Sequence, residues 1–278
     1  MTLNRETTMD SRLLPRIGVI GTGAIAEALL IGMIEHSRCS GPIRVSIRTE
    51  QRSSRLAERF GNLVIDRSNQ SIVDQTDLII LAVLPDQTAA TLNDLTFRND
   101  QTLVNLVTGF SVAQIRKIVS PLSRVHRLIP LPPVEFGLGP LPLFPPCEDI
   151  ASLFSGCGKV IQVEDESAFA SFAAASGLMA THHRLTATIT KWVTSRGVNA
   201  EDAAAYTSHM FHALTHLESR ASADDLQGLA RECVTKGGLN ELALDQFEEL
   251  EWFDQVVGRL DRIEERLEKI LGTGNPGS

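Results

Sequence analysis

The sequence predicts an α/β chain, with a doubly wound parallel sheet in its first half and an all-α domain after it. Three observations carry this expectation. Short continuous apolar runs alternate with helical patterns up to about residue 163, a G-x-G-x-x-A turn follows the first run directly, and everything after Glu164 reads as helix. Continuous apolar runs of strand length are what a parallel sheet requires, because crossover helices bury both of its faces.

Residues 16–20 form the first β-type run, and a helical pattern occupies 24–36. Residues 43–48 read as strand and 50–60 as helix, 64–65 as a short strand, and 68–74 as a small helix. A fourth strand spans 77–83 and is closed by Pro85, with a helical stretch over 86–92. Strand, helix and strand continue over 103–107, 111–119 and 124–129. The segment from Pro130 to Pro146 is rich in proline and glycine. Proline cannot donate to a ladder, so this segment is expected to be loop or edge strand. Residues 158–163 add a last strand. Helices are then expected over 165–196, 199–220 and 223–235. A final amphipathic helix over 242–271 has Leu250, Phe253, Val257, Leu260, Ile263, Leu267 and Ile270 on its buried stripe. These elements divide the chain into a flexible tail (1–14), a nucleotide-binding domain (15–163), a helical dimerisation and substrate domain (164–271) and a second flexible tail (272–278).

A chain of 278 residues with 43% hydrophobic and 22% charged residues suits a packed two-domain protein. Its formal net charge of −8, with no basic stripe, argues against a nucleic-acid partner. Its apolar runs (78–84, 103–107) are far too short to span a bilayer, and residues 1–12 lack the apolar centre of a signal peptide. No membrane association is therefore expected. Cys39, Cys147, Cys157 and Cys233 form no C-x-x-C pair and read as reduced and cytoplasmic, although spacing leaves a Cys147–Cys157 bridge open.

Gly21-Thr-Gly-Ala-Ile-Ala26 lies between the first strand and the first helix, where a dinucleotide pyrophosphate is held. Gly21 makes the tight turn, Gly23 lets the backbone approach the phosphates, and Ala26 allows close packing of helix on sheet. Gly21, Gly23, Ala24 and Ile25 are thus the expected phosphate contacts. The second strand ends Ser46-Ile47-Arg48-Thr49, with no carboxylate for ribose hydroxyls. A guanidinium holds a 2′-phosphate by charge-assisted hydrogen bonds. The cofactor is therefore expected to be NADP(H), held by Arg48 and Thr49 with Arg52 in support; a solvated arginine face is the alternative. The backbone of Ala82, Val83 and Leu84, closing the fourth strand, is placed to touch ribose or nicotinamide. Asn105 either joins it or caps a turn.

Together these residues resemble the pyrroline-5-carboxylate reductase family. The resemblance runs from about Arg16 and rests on Ile17-Gly-Val-Ile-Gly-Thr-Gly-Ala-Ile-Ala-Glu-Ala-Leu29, Leu81-Ala-Val-Leu-Pro85, Gly158-Lys-Val-Ile-Gln-Val163 and Val234-Thr-Lys-Gly-Gly-Leu-Asn240. It implies a Rossmann domain, a homodimer or higher oligomer built from interleaved C-terminal helices, and a site between the two domains. The implied reaction is reduction of a cyclic imine by NADPH, from 1-pyrroline-5-carboxylate to proline or with a related C=N substrate. The substrate half departs from the family pattern. M-P-N-[ST]-P is Ile129-Pro-Leu-Pro-Pro133, S-G-S-G-P-A-Y is Ala175-Ser-Gly-Leu-Met-Ala-Thr181, P-G-G-T-T is Lys236-Gly-Gly-Leu-Asn240, and the lysine of K-P-Q is Leu84. A reductase of another small imine or keto substrate, and a catalytically silent NADP-binding sensor, are the alternatives.

Imine reduction asks the protein for alignment, a proton source and a dry pocket. Asn240 and Thr235 stand at the family's substrate loop. His182 and His183 begin a helix expected to face the nicotinamide, as proton donors or carboxylate ligands, with a helix-capping pair as the bland alternative. His209, His212 and His216 share one helical face, but no further ligand joins them at a suitable spacing, so no metal is expected.

Overall fold

The structure is a computed structural model that describes residues 15–37, 39, 41–46, 50–222 and 225–273. The chain divides into two compact units. One runs through Phe169 and takes up the chain again from Leu267; the other is Ala170–Arg266.

The first unit is built on β1 (Ile17–Ile20), β2 (Ile43–Ser46), β3 (Leu63–Asp66), β4 (Leu78–Leu81), β5 (Thr102–Asn105), β6 (Arg124–Leu128), β7 (Pro140–Phe144) and β8 (Lys159–Gln162), in the order β3-β2-β1-β4-β5-β6-β7-β8. Pairing is parallel except between β6 and β7. The connecting helices are α1 (Ala24–Glu35), α2 (Glu50–Arg59), α3 (Asn69–Gln75), α4 (Thr88–Asn93), α5 (Val112–Ile118) and α6 (Glu148–Phe154). Successive strand residues point to opposite faces. Val19 therefore joins Leu29, Leu30 and Met33 of α1 in one core, while its neighbour Ile20 joins Ile72, Leu92 and Ile115 in the other. This is why β1 and β4 are apolar at every position. The chain leaves β1 toward β2 and β3, then returns through α3 to β4 on the opposite side of β1, so the strand order reverses between β1 and β4. A doubly wound sheet opens its crevice at that point.

The proline-rich segment does not stay outside the sheet. Its residues Pro140–Phe144 form β7, between β6 and β8. The carbonyls of Gly139 and Leu143 accept from Lys159 and Val163 on the β8 side, whereas the Pro142 carbonyl faces β6 and accepts from Ile129. Pro140 and Pro142 therefore turn their donorless nitrogens toward β6, where the pairing register covers only Arg127 and Leu128. Helix α6, which no periodicity announced, follows at once with Glu148 and Asp149 in its first turn. All four cysteines are free.

The second unit is helical: most of α7 (Ala168–Ser176), then α8 (Met179–Ser195), α9 (Ala200–Glu218), α10 (Leu226–Glu232), α11 (Leu239–Glu249) and α12 (Trp252–Thr273) up to Arg266. The single final helix expected from the stripe is broken in two. Glu251 takes a left-handed conformation (φ 50°) between α11 and α12, and its N–H turns back to the Glu248 carbonyl. The stripe is not buried either, since Leu250, Phe253 and Val257 are exposed. Trp192 is 59% exposed, Tyr206 69% and Leu239 85%. Among described residues of this unit, only Ala170, Ala174, Ala203 and Thr207 are buried. No described helix is long and apolar enough to cross a membrane.

Candidate functional site

The turn from β1 to α1 lies at the point where the strand order reverses. Gly21 has φ +95°, and a Cβ built on it would stand 2.6 Å from the Ala82 carbonyl oxygen, so the turn presses directly on the chain leaving β4. Any side chain there is excluded by backbone conformation and by contact. Gly23 differs. Its φ is −76°, it forms the N-cap of α1 with no side-chain cap, and a Cβ on it would meet nothing within 4 Å. The first amides of α1, from Ala24 and Ile25 onward, thus begin a helix whose positive end faces open space. Ala26 is buried against the sheet.

The turn is held by a buried hydroxyl network that the sequence did not announce. The Gly21 N–H donates to Ser46 Oγ (2.9 Å), and Ser53 Oγ donates to the Ser46 carbonyl (2.9 Å). Thr22 Oγ1 donates to the same carbonyl at 3.3 Å and lies 3.1 Å from Ser53 Oγ. Three short polar side chains from β1–α1, β2 and α2 thereby fix the turn against the end of β2. Glu27, the acid in the first turn of α1, is engaged by Arg55 of α2. Arg48 and Thr49 lie outside the described residues, as does the side chain of Arg52.

On the far face of the sheet an open cavity of about 510 Å³ is lined by Ser68, Asn69, Gln70, Gln87, Thr91 and Asp94. Ser68 caps α3 just after β3, and Gln87 closes the turn after β4, so the cavity sits at the carboxyl edge of the strands. Gln87 Oε1 is the single buried side-chain acceptor without a partner among the described residues. A buried acceptor left unpaired is costly and calls for a donor. No motif pointed to these residues, because they come from two separate elements, the start of α3 and the turn and helix after β4.

The remaining expected residues fall as follows. Ala82 and Val83 line the contact with Gly21, while Leu84 is 59% exposed beyond the end of β4. Asn105 is fully buried and committed to the turn after β5. Its Oδ1 accepts from Val107 N (2.9 Å), and its Nδ2 donates to the carbonyls of Val107 (3.4 Å) and Phe110 (3.5 Å). Of the two roles open to it, the structure gives it the turn. Beside it in register, Arg127 is buried against Glu166 and Phe169. Burial pushes the guanidinium pKa down, and Glu166 pulls it back up.

In the helical unit, Thr235 lies in the connection before α11 and Asn240 in the first turn of that helix. The Thr235 carbonyl accepts from Gly238 N (2.7 Å), Asn240 Nδ2 donates to the Cys233 carbonyl (2.9 Å), and Glu241 accepts from Gly237 N (2.6 Å). His182 and His183 are exposed in the first turn of α8, with ring centroids 5.7 Å apart and His182 5.4 Å from Phe211. No cluster of described residues is suited to hold a metal ion.

Residues 16–109 match the family model described as NADP oxidoreductase coenzyme F420-dependent. The chain is similar to the pyrroline-5-carboxylate reductase of Corynebacterium melassecola, at 32% identity over 44% of this chain and 47% of that protein. It thus spans about half the length of that relative. The likeness to the enzyme of the same name from Vibrio alginolyticus is 23% identity over 92% of this chain and 97% of the relative. Among solved structures, Plasmodium falciparum pyrroline carboxylate reductase with NADP bound superposes with a TM-score of 0.79, at 16% identity, over 92% of this chain and 98% of that one. That likeness establishes the fold: a Rossmann-type sheet followed by a helical region.

Proposed function

From its similarity to pyrroline-5-carboxylate reductases, we propose that the chain is an NADPH-dependent reductase of a cyclic imine, 1-pyrroline-5-carboxylate or a related C=N compound. The observation that carries the reading is the pairing of Gly21 with Gly23. One glycine is forced by backbone contact; the other stands over open space at an uncapped helix start. That arrangement suits a pyrophosphate. The amides of Ala24 and Ile25 would bind the phosphates, and Arg48, Thr49 and Arg52 the 2′-phosphate. The cavity lined by Asn69 and Gln87 suits the adenosine end.

NADPH, when bound, supplies the hydride that reduces the imine carbon. The chain's own part is to orient the imine and exclude water. Asn240, Thr235 and the His182–His183 pair are the proposed substrate and proton-handling residues. The helical unit is proposed to be covered by a second copy. Among its described residues this unit buries only four small ones and leaves Trp192, Tyr206 and Leu242 exposed, too little for a core of its own. A homodimer with a cytoplasmic location completes the reading.

The test is a fluorescence titration with NADPH and NADH, followed by addition of 1-pyrroline-5-carboxylate. NADPH binding on the order of tenfold tighter than NADH, lost in Arg48→Ala, with imine-dependent oxidation of the cofactor, is expected. Binding without turnover on any imine or keto acid would favour the sensor role, for which the commitment of the Asn240 amide to Cys233 speaks. Absence of dinucleotide binding would overturn the proposal.

A further inference from the structure

Arg127, near the carboxyl end of β6, joins Glu166 and Phe169 in one side-chain assembly. Its side chain is 4% exposed. Its guanidinium donates to Glu166 (3.3 Å) and stacks over the Phe169 ring at 4.8 Å. The Glu166 carboxylate in turn accepts from Val112 N with both oxygens (2.9 and 3.2 Å), covering the positive start of α5. Arg127 lies opposite Asn105 in the β5–β6 register. Asn105 holds the connection leaving β5 at Val107 and Phe110, and Arg127, through Glu166, holds the same connection at Val112. Phe169, fully buried, is also the last residue of the first unit before the chain passes to Ala170. One buried cation thus pins two things: the 106–112 connection, and Phe169 at the start of α7.

We infer that Arg127 is a positioning residue for the reduction. Acting through Glu166 and Phe169, it fixes the connection after β5 and the start of α7, so that its loss slows the chemical step without weakening the cofactor. The inference rests on the proposed reductase function. The glycine turn is held by Ser46, Thr22 and Ser53, through bonds that involve neither Arg127 nor Glu166, so phosphate binding is separable from this assembly. The pinned connection starts at Leu106, whose N–H donates to the Leu81 carbonyl at the end of β4 (2.9 Å), next to the proposed cofactor contacts Ala82 and Val83. A buried arginine with its partner and ring in place is also hard to replace, because lysine offers no planar fork to stack and pair.

The experiment uses the full chain with Arg127→Met, Arg127→Lys and Glu166→Gln; the last keeps an acceptor for Val112 N and should fold if Arg127→Met does not. NADPH affinity is read by fluorescence, kcat and KM with 1-pyrroline-5-carboxylate, and amide exchange over 106–112 and 165–170. The inference expects NADPH Kd within about twofold of the parent and kcat at least about tenfold lower in Arg127→Met, with partial rescue by lysine. It also expects faster exchange in both segments together, with β1–β4 still protected. An unchanged kcat, unchanged exchange, or protection lost equally across the sheet would overturn it. If the parent binds no NADPH or reduces no imine, the functional reading has failed separately, and the exchange arm alone decides the clamp.

Discussion

Ser46 Oγ accepts the Gly21 N–H at 2.9 Å, joining the end of β2 to the glycine turn after β1. Both groups are buried, so removing the hydroxyl leaves an amide without a partner. Ser46→Ala is expected to cost about 1–3 kcal/mol of stability. Through the loosened turn it should also weaken NADPH binding by roughly threefold to tenfold. Thermal melts and a fluorescence titration on the same preparation check both effects.

The two glycines of the motif separate fold from ligand. Gly21→Ala places a methyl 2.6 Å from the Ala82 carbonyl at φ +95°. It is expected to lose about 2 kcal/mol or more of stability together with cofactor binding. Gly23→Ala meets no protein atom within 4 Å. Its melting temperature should stay within a degree or two of the parent, while NADPH affinity falls on the order of tenfold. Equal loss of stability in both variants would remove the case for an anion above Gly23.

The exposed apolar faces of α9 and α12 predict an oligomer. Sedimentation should show a dimer or larger. Leu217→Glu combined with Val257→Glu should shift it toward monomer and lower the melting temperature, because a charge is then buried in the covered face. A parent chain that sediments as a monomer at micromolar concentration would count against the covered surface.

Glu251 occupies the left-handed region at φ 50° between α11 and α12. Glycine adopts this conformation without a Cβ clash. Glu251→Gly is therefore expected to stabilise the chain by about 1 kcal/mol, read as a higher denaturant midpoint with an unchanged slope.

Burial, and then the neighbouring Cys157, push the Cys39 thiol up to about 11 from an ordinary 9.0. The folded state therefore keeps this proton over a range where the unfolded chain releases it. Stability contributed by the neutral thiol is fully present below pH 9 and is lost as pH rises toward 11. Urea midpoints across that window should fall less steeply in Cys39→Ala. At neutral pH a thiol reagent should label the exposed Cys233 first and reach buried Cys39 and Cys157 only after unfolding.

The sequence by itself determined the doubly wound sheet, its glycine turn and the helical second half. Each of these is written in local patterns: continuous apolar runs for buried strands, G-x-G-x-x-A for a turn that must approach a phosphate, and three- and four-residue steps for helices. Tertiary structure alone decided the rest. The prolines of residues 140–142 lie inside the sheet because their donorless nitrogens face the side where pairing with β6 ends, a matter of register that no residue count reveals. Asn105 serves the turn after β5, because burial gives its amide carbonyls and an N–H to satisfy. Ser46, Ser53, Arg127 and Glu166 escaped sequence reading for one physical reason. A hydrogen bond or ion pair between elements depends on three-dimensional approach, and isolated polar residues leave no periodic trace along the chain.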